Sequence, residues 1–415
     1  MGYTLIEKII KKNIGADHVE PGQIVTVNVD RVMIHDIFIP FVAEKFEEMG
    51  FQKLWGPDKV VLIYDHLVPT SAVEDVRHFK IGDAFADKYG LTHVHRSDGI
   101  CHQLMTEKGY AKPGDIVFGT DSHTTTYGCV GCFSSGIGYT EMAAILGTGE
   151  MWIRVPETIK VVIDGTLPAN VSAKDVILRL IGDLRADGAT YKALEITGST
   201  VDAMSVASRM TISNMAIEAG AKACLFRPDE KTCEYSGVSM EDVDWLYGDD
   251  DASYCRVMTY RAEDLVPVCA CPSQVDNIHP VSEVEGTKLD QVFIGSCTNG
   301  RLEDLAVAAH ILEGKTVACK LIITPASRQI YLDAIKAGYM KTLAEAGAII
   351  TQPGCGLCCG RAGGILTDGE KVLATNNRNF LGRMGTSKVG IYLGSPATAA
   401  TSAIYGKITM PENVR

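Results

Sequence analysis

The sequence has no uninterrupted apolar stretch of the ~20 residues needed to span a bilayer, which argues against a membrane-spanning helix and a membrane partner. It also has no basic start followed by an apolar core. Met1 to Lys12 reads as a polar-punctuated helix, so no secretory signal is expected. Positive charge is scarce: 39 Lys and Arg stand against 51 Asp and Glu, a formal net charge of -12. Without a cluster of Lys and Arg to neutralise phosphates, nucleic acid is a poor partner, and an anionic ligand would need positive charge concentrated in a pocket. Short-period repeats and low-complexity tails are missing too. The 13 cysteines are odd in number and irregularly spaced, which speaks against a disulfide framework and for a reducing, cytoplasmic setting.

What is present is a globular chain of 415 residues, 46% hydrophobic and 22% charged, with room for two or three domains. Residues 1–155 alternate apolar runs with helical patterns, as in Lys59 to Tyr64 followed by the amphipathic stretch Ala72 to Tyr89. That alternation predicts α/β architecture with parallel sheets covered on both faces. The texture changes at Val155-Pro156-Glu157. A second unit, 156–280, is expected to hold a strand over Ile159 to Ile163 and helices over Ala173 to Ala186 and Ser213 to Ala219. Tyr247 to Ser253, rich in Asp, reads as a solvated loop. The third unit, 281–415, repeats the theme with a strand over Asp290 to Gly295 and a helix over Leu302 to Leu312.

Three cysteines stand out: Cys297 in Gly295-Ser296-Cys297-Thr298-Asn299, and the pair Cys355 and Cys358 in Gly354-Cys355-Gly356-Leu357-Cys358-Cys359-Gly360. A lone buried cysteine usually behaves as a small hydrophobe, and Cys-x-x-Cys can be half a zinc site or a redox pair. These three, however, lie in Gly-, Ser- and Asn-rich turns, which bring backbone N–H groups to sulfur, as iron–sulfur sites require. Three thiolates would leave one iron of a cubane cluster without a protein ligand, converting an electron carrier into a Lewis acid. Cys359 is left out of the set, because in an extended segment it faces away from Cys358.

Residues after parallel strands are where function collects in such sheets. Asp65 and His66 follow the strand ending at Tyr64, and Asp121-Ser122-His123 follow Ile116 to Phe118. Asp-Ser-His can also be a self-capped turn, Asp-His is common on surfaces, and His102 could be a satisfied loop histidine. Together they could supply the acid that protonates a departing hydroxyl near neutral pH. Arg378 and Arg383, five apart among amides and glycine, suit bidentate clamping of carboxylates, although two surface arginines would look the same.

Taken in order, Gly119 to Thr124, Gly295 to Asn299, the Cys355/Cys358 pair and Asn377-Arg378-Asn379-Phe380 with Gly382-Arg383 resemble the aconitase superfamily, over nearly the whole chain. Tyr191 to Glu195 and Arg209 to Met215 resemble the separate large subunits of its isopropylmalate isomerase and homoaconitase group. The resemblance implies three α/β/α domains around a central cluster site. It implies a 4Fe-4S cluster on Cys297, Cys355 and Cys358 with one labile, substrate-binding iron. Asp65 and His66 would protonate the leaving hydroxyl, with His102, Asp121, His123 and Glu195 around the reacting water. Arg378, Arg383, Ser122 and His35 would face the substrate.

The family's fourth domain, which carries a serine base and further arginines, does not appear before Arg415. A separate small subunit is therefore expected as partner. The implied activity is a hydro-lyase acting on a branched 2-hydroxy di- or tricarboxylate, 3-isopropylmalate first, with homocitrate, 2-methylmalate and 2,3-dimethylmalate as sister substrates. An electron-transfer protein would need a fourth thiolate. An RNA-binding regulator would need a basic groove that this acidic chain lacks.

Overall fold

The computed structural model describes residues 2–361 and 363–412. Met1 and Arg415, the outer ends of the expected first and third units, lie outside them. By compactness the described residues form two units. One runs up to Arg96 and adds Leu104–Asp164 and Ala189–Tyr260; the other comprises Ser97–Gln103, Gly165–Gly188 and the residues from Arg261 onward.

The first unit is built on a five-stranded parallel sheet with the order His93–Arg96, Val60–Tyr64, Arg31–His35, Ile116–Gly119, Phe133–Gly136. Val60–Tyr64 and Ile116–Gly119 are buried along their whole length, as unbroken apolar runs in a sheet covered on both faces must be. Each Val, Ile or Leu so buried contributes ~1.5–3 kcal/mol relative to exposure. Register follows from these side chains: Ile34 lies opposite Leu62, and Val32 opposite Phe118. From Arg31–His35 the chain winds outward through two strands, then returns to that strand's other side with Ile116–Gly119. The reversal opens a crevice at the carboxyl ends of those two strands.

The helix Val73–Tyr89 ends on Gly90 in the left-handed conformation. The same unit carries a second sheet, in the order Ala223–Phe226, Ala193–Thr197, Thr158–Asp164, Arg256–Arg261, its first three strands parallel. Ile24–Asn28 and Glu150–Arg154 form an antiparallel ribbon.

The second unit holds a seven-stranded sheet: Ile278–Pro280, Val268–Ala270, Gly390–Leu393, Lys371–Ala374, Gln291–Gly295, Lys320–Thr324, Ile349–Ile350. The last five are parallel, and the first two are added antiparallel at one edge. Winding reverses here as well, between Gln291–Gly295 and Lys371–Ala374. The helix Ala173–Leu184, opened by a Ser172/Asp175 capping box, belongs to this unit. No disulfide joins any of the cysteines among the described residues, and no helix there is long and apolar enough to cross a membrane.

Candidate active site

In the first unit the reversal crevice gathers a chain of acids and imidazoles. His35 ends its strand and Asp36 follows; Asp65-His66 and Thr120-Asp121 follow theirs. The His35 N–H donates to the Thr120 hydroxyl at 3.2 Å, tying together the ends of the two strands. The Asp36 carboxylate, 0% exposed, accepts from the backbone N–H groups of Asp65 (3.0 Å), His66 (3.0 Å) and Leu67 (2.8 Å). It thereby fixes the turn that presents the Asp65-His66 pair.

His66 Nδ1 lies 2.7 Å from Asp65 Oδ1, and its Nε2 lies 3.7 Å from Asp121 Oδ2. Burial alone would lower the His66 pKa. The negative charges of Asp65, Asp36 and Asp121 and the bond to Asp65 outweigh it and hold the imidazole well above its ordinary value. Asp121 Oδ1 accepts from the His123 N–H at 2.7 Å and lies 3.2 Å from His123 Nδ1; His123 Nε2 lies 2.9 Å from Glu218 Oε1. The result is an alternation of acids and imidazoles, hydrogen-bonded within Asp65–His66 and within Asp121–His123–Glu218, with the two parts 3.7 Å apart at His66 and Asp121.

The His35 ring stacks on His66, centroids 4.3 Å apart. Its Nδ1 accepts from the Ile37 N–H at 3.3 Å, which assigns the proton of the neutral ring to Nε2. That buried nitrogen finds no protein partner. Ser122 opens the 3-10 segment Ser122–Val130. Beneath it a Cβ on Gly136 would lie 2.6 Å from the Asp121 carbonyl oxygen, so only glycine fits.

Glu195 is not in this chain of groups. Its Oε2 accepts from the Leu5 N–H (2.9 Å) at the start of helix Leu5–Ile14, and its Oε1 from the Tyr254 hydroxyl (2.8 Å). Burial raises its pKa. A carboxylate at a helix N-terminus is stabilising, and this one joins the first helix to its unit. The acid beside His123 is Glu218, which the sequence reading missed. Glu218 sits just past the buried helix Val206–Met215, held by Thr125 Oγ1 donating to the Ser213 carbonyl (2.9 Å) and Asn214 Nδ2 donating to Thr126 Oγ1 (2.9 Å). The spacing from Asn214 to Glu218, at the end of a polar-studded buried helix, was its only signal.

In the second unit Cys297, Cys355 and Cys358 are all buried. Cys297 lies in the turn Ser296–Asn299 after Gln291–Gly295. Gly295 takes φ 148°, and a Cβ there would lie 2.2 Å from the Thr324 carbonyl oxygen. Arg301 clamps that turn through the carbonyls of Thr298 (2.7 Å) and Cys297 (2.6 Å).

Side-chain amides face the sulfurs. Asn377 Nδ2 reaches Cys297 Sγ at 3.5 Å, Asn376 Nδ2 reaches Cys358 Sγ at 3.6 Å, and Asn377 Oδ1 lies 3.5 Å from Cys358 Sγ. Arg383 Nη2 lies 3.7 Å from Cys358 Sγ. This arginine, expected to meet substrate, thus has one arm on sulfur, while its buried Nε has no protein partner. Hydrogen bonds with Cys358 and Cys359, together with burial, push the Cys355 thiol well up. Cys359, expected to face away in an extended segment, lies in the 3-10 turn Gly356–Cys359 and partners Cys355, and these adjacent sulfurs resist ionising until a cation arrives, so that loading would release protons. Buried thiols ringed by N–H donors and an unsatisfied guanidinium fit an iron–sulfur group.

Arg378 is half-buried on the same loop, and His102, also in this unit, is buried in the first turn of Cys101–Glu107. One further charged group, Lys174, was missed. It is completely buried, and burial drives its pKa down to about 7 against the raising effect of Cys358, Asp304, Cys297 and Asp175. Its signal was positional: Lys174, Ile177, Leu178 and Ile181 form one helical stripe, three members of which are apolar.

Comparison with known proteins gives matches over nearly the whole chain. A family model described as the Aconitase family (aconitate hydratase) matches residues 7–286 and 277–406. The 3-isopropylmalate dehydratase large subunit 1 of Methanopyrus kandleri is 49% identical over 418 residues, covering 99% of each chain. A probable methanogen homoaconitase large subunit of Methanosarcina mazei is 46% identical over 394 residues, covering 93% of this chain and 99% of its own. Among solved structures, the holo-form of Thermococcus kodakaraensis aconitase X matches with a TM-score of 0.50 at 14% identity, over 90% of this chain and 89% of that one. At that identity it speaks for the fold alone.

Proposed function

Because the chain belongs to the aconitase family, we propose that it is the large subunit of a hydro-lyase that dehydrates and rehydrates 3-isopropylmalate in leucine biosynthesis. Relatives at 45–49% identity over nearly their full length carry that subunit's name. Homoaconitase, named for a relative at 46% identity, is the second reading. The observation that carries the reaction class is the buried cysteine trio with amide and guanidinium donors turned on its sulfurs.

In this proposal Cys297, Cys355 and Cys358 hold a 4Fe-4S cluster. When bound, such a cluster supplies Lewis acidity toward the substrate's hydroxyl and carboxylate oxygens at the iron without a protein ligand. The chain's own groups do the rest. The His66 imidazolium, kept charged by Asp65, donates its proton to the departing hydroxyl, which leaves as water. Asp121, His123 and Glu218 hold and return that proton, with His102 an accessory imidazole. The His35 Nε2–H and Ser122 position substrate oxygens, and Arg378 and the free side of Arg383 bind its carboxylates. The carbon-bound proton is taken by a base on a separate small subunit, which also brings further arginines, so this chain alone is catalytically incomplete.

The test is anaerobic co-expression with a candidate small subunit, followed by a panel of branched hydroxy acids and detection of the conjugated alkene by ultraviolet absorbance. Turnover of 3-isopropylmalate is expected. Turnover of homocitrate alone would move the assignment to the second reading. An intact cluster with no turnover of any member would overturn the proposal.

A further inference from the structure

Lys174 poses a problem of charge. Its side chain is wholly buried, and Nζ donates to the backbone carbonyls of Thr375 (2.7 Å) and Asn376 (2.5 Å). An ammonium has three protons to donate; two are used. Among the described residues no carboxylate lies within ion-pair reach of it. A buried cation is costly unless counter-charge is near, and the groups whose fields oppose the effect of burial are Cys358, Asp304, Cys297 and Asp175.

The carbonyls it binds lead the loop that serves those sulfurs. Thr375 Oγ1 accepts from the Gly295 N–H at 3.0 Å, the Asn376 amide faces Cys358 Sγ, and the Asn377 amide faces Cys297 Sγ. Lys174 therefore grips the main chain at the root of the amide donors. Asp304 and Asp175 act on it without an ion pair, and three thiolates around an iron–sulfur core would add negative charge on the side of Cys358 and Cys297.

We infer that Lys174 is the buried counter-charge and positioning residue of the cluster site, holding the 375–377 loop against the cysteine sulfurs while offsetting the charge of the thiolate-ligated cluster. This inference rests on the cluster assignment above. It predicts that Lys174 sets two properties of the bound group besides turnover: its reduction potential, through net charge, and its hold on iron, through the ordered donors.

The experiment compares wild type, Lys174→Met and Lys174→Arg, each co-expressed with the small subunit and reconstituted anaerobically. Midpoint potential is read by spectroelectrochemistry, and iron release to a chelator after air exposure by absorbance. Lys174→Met is expected to shift the potential negative and to release iron about 10–100-fold faster, the usual effect of losing an outer-shell partner. Lys174→Arg, which keeps the charge, should recover most of the potential. Wild-type potential and iron release in Lys174→Met would overturn the inference. If Lys174→Met does not accumulate folded, Lys174→Gln carries the same test: it retains a donor for the carbonyls but no charge, so a negative shift is expected and an unchanged potential overturns the inference. A wild-type protein that takes up no cluster would overturn the functional reading itself, and this is seen before any variant is compared.

Discussion

Replacing Asp36 by alanine should damage the protein twice. The carboxylate accepts three backbone N–H groups at 2.8–3.0 Å from Asp65, His66 and Leu67, at a site with no solvent exposure. Leaving a buried donor without an acceptor costs ~1–3 kcal/mol each. Some of that is recovered when water enters the vacated space and when a buried carboxylate no longer has to be desolvated. A net loss of about 3–5 kcal/mol is expected from those terms. For a unit of this size each kcal/mol moves Tm by ~2–4 °C, so the fall should be on the order of 10 °C by differential scanning calorimetry. Asp36→Asn keeps one acceptor oxygen and should lose roughly half as much.

The second damage is chemical. Asp36 anchors the backbone of the Asp65-His66 pair and helps to keep His66 charged. Its removal should therefore lower turnover of the assembled enzyme by ~10²-fold, the scale of an ångström misplacement. A variant that melts within ~2 °C of wild type, or that melts early but turns over normally, would refute the claim that this carboxylate organises the turn.

Three other outcomes follow from the same geometry. Because the folded His66 pKa is raised, its contribution to stability is full below the unfolded value of ~6.5 and is lost as pH rises through the folded value. Thermal scans should show the gap between wild type and His66→Gln narrowing as pH rises above ~6.5, by up to ~1.4 kcal/mol per pH unit; a constant gap would contradict the charged assignment. Cys355→Ser should abolish both the cluster's visible absorbance and turnover, and either one persisting would count against the ligand set. Glu218→Gln should lower turnover by ~10²-fold or more, whereas Glu195→Gln should register chiefly as a lower Tm, costing about 2 kcal/mol through its bonds to Leu5 and Tyr254. The reverse pattern would restore Glu195 to the reacting groups.

The parts of this site legible in the sequence were those that obey a local rule. Strand ends are marked by where an apolar run stops, so Asp65, His66, Asp121 and His123 could be found from Val60–Tyr64 and Ile116–Gly119. The cysteines were marked by turn chemistry around them. Asp36 follows the same rule, but its strand, Arg31–His35, opens with an arginine and closes with a histidine and does not stand out as an apolar run. Glu218 and Lys174 obey no local rule at all. What gives Glu218 a partner is the packing of Val206–Met215 against the 122–130 segment, and what gives Lys174 its carbonyls is a loop two hundred residues further along. Glu195 shows the converse: a family-like motif drew attention to a carboxylate whose partners, Leu5 and Tyr254, are both remote in sequence.

The two large sheets arrive at one solution from different sequences. In each, the first of five parallel strands lies at the centre, the next two extend to one side, and the fourth returns to the other side of the first. In each, a threonine just past the fourth strand accepts the N–H of the first strand's last residue: Thr120 from His35 at 3.2 Å, and Thr375 from Gly295 at 3.0 Å. That bond satisfies a backbone donor at the point where the two strands part and the ladder can no longer satisfy it. It also fixes the loops that leave the two strands, and those loops carry the working groups, Asp36 and Asp121 in one unit and Cys297 and Asn377 in the other. One prediction separates this account from coincidence. Thr120→Val and Thr375→Val each keep the shape and delete the acceptor, so each should cost ~1–3 kcal/mol. Each should also impair only its own unit's chemistry: the His66 pH response for the first, iron retention for the second. If both variants affect both properties alike, the threonines serve general stability and the shared geometry has no bearing on the site.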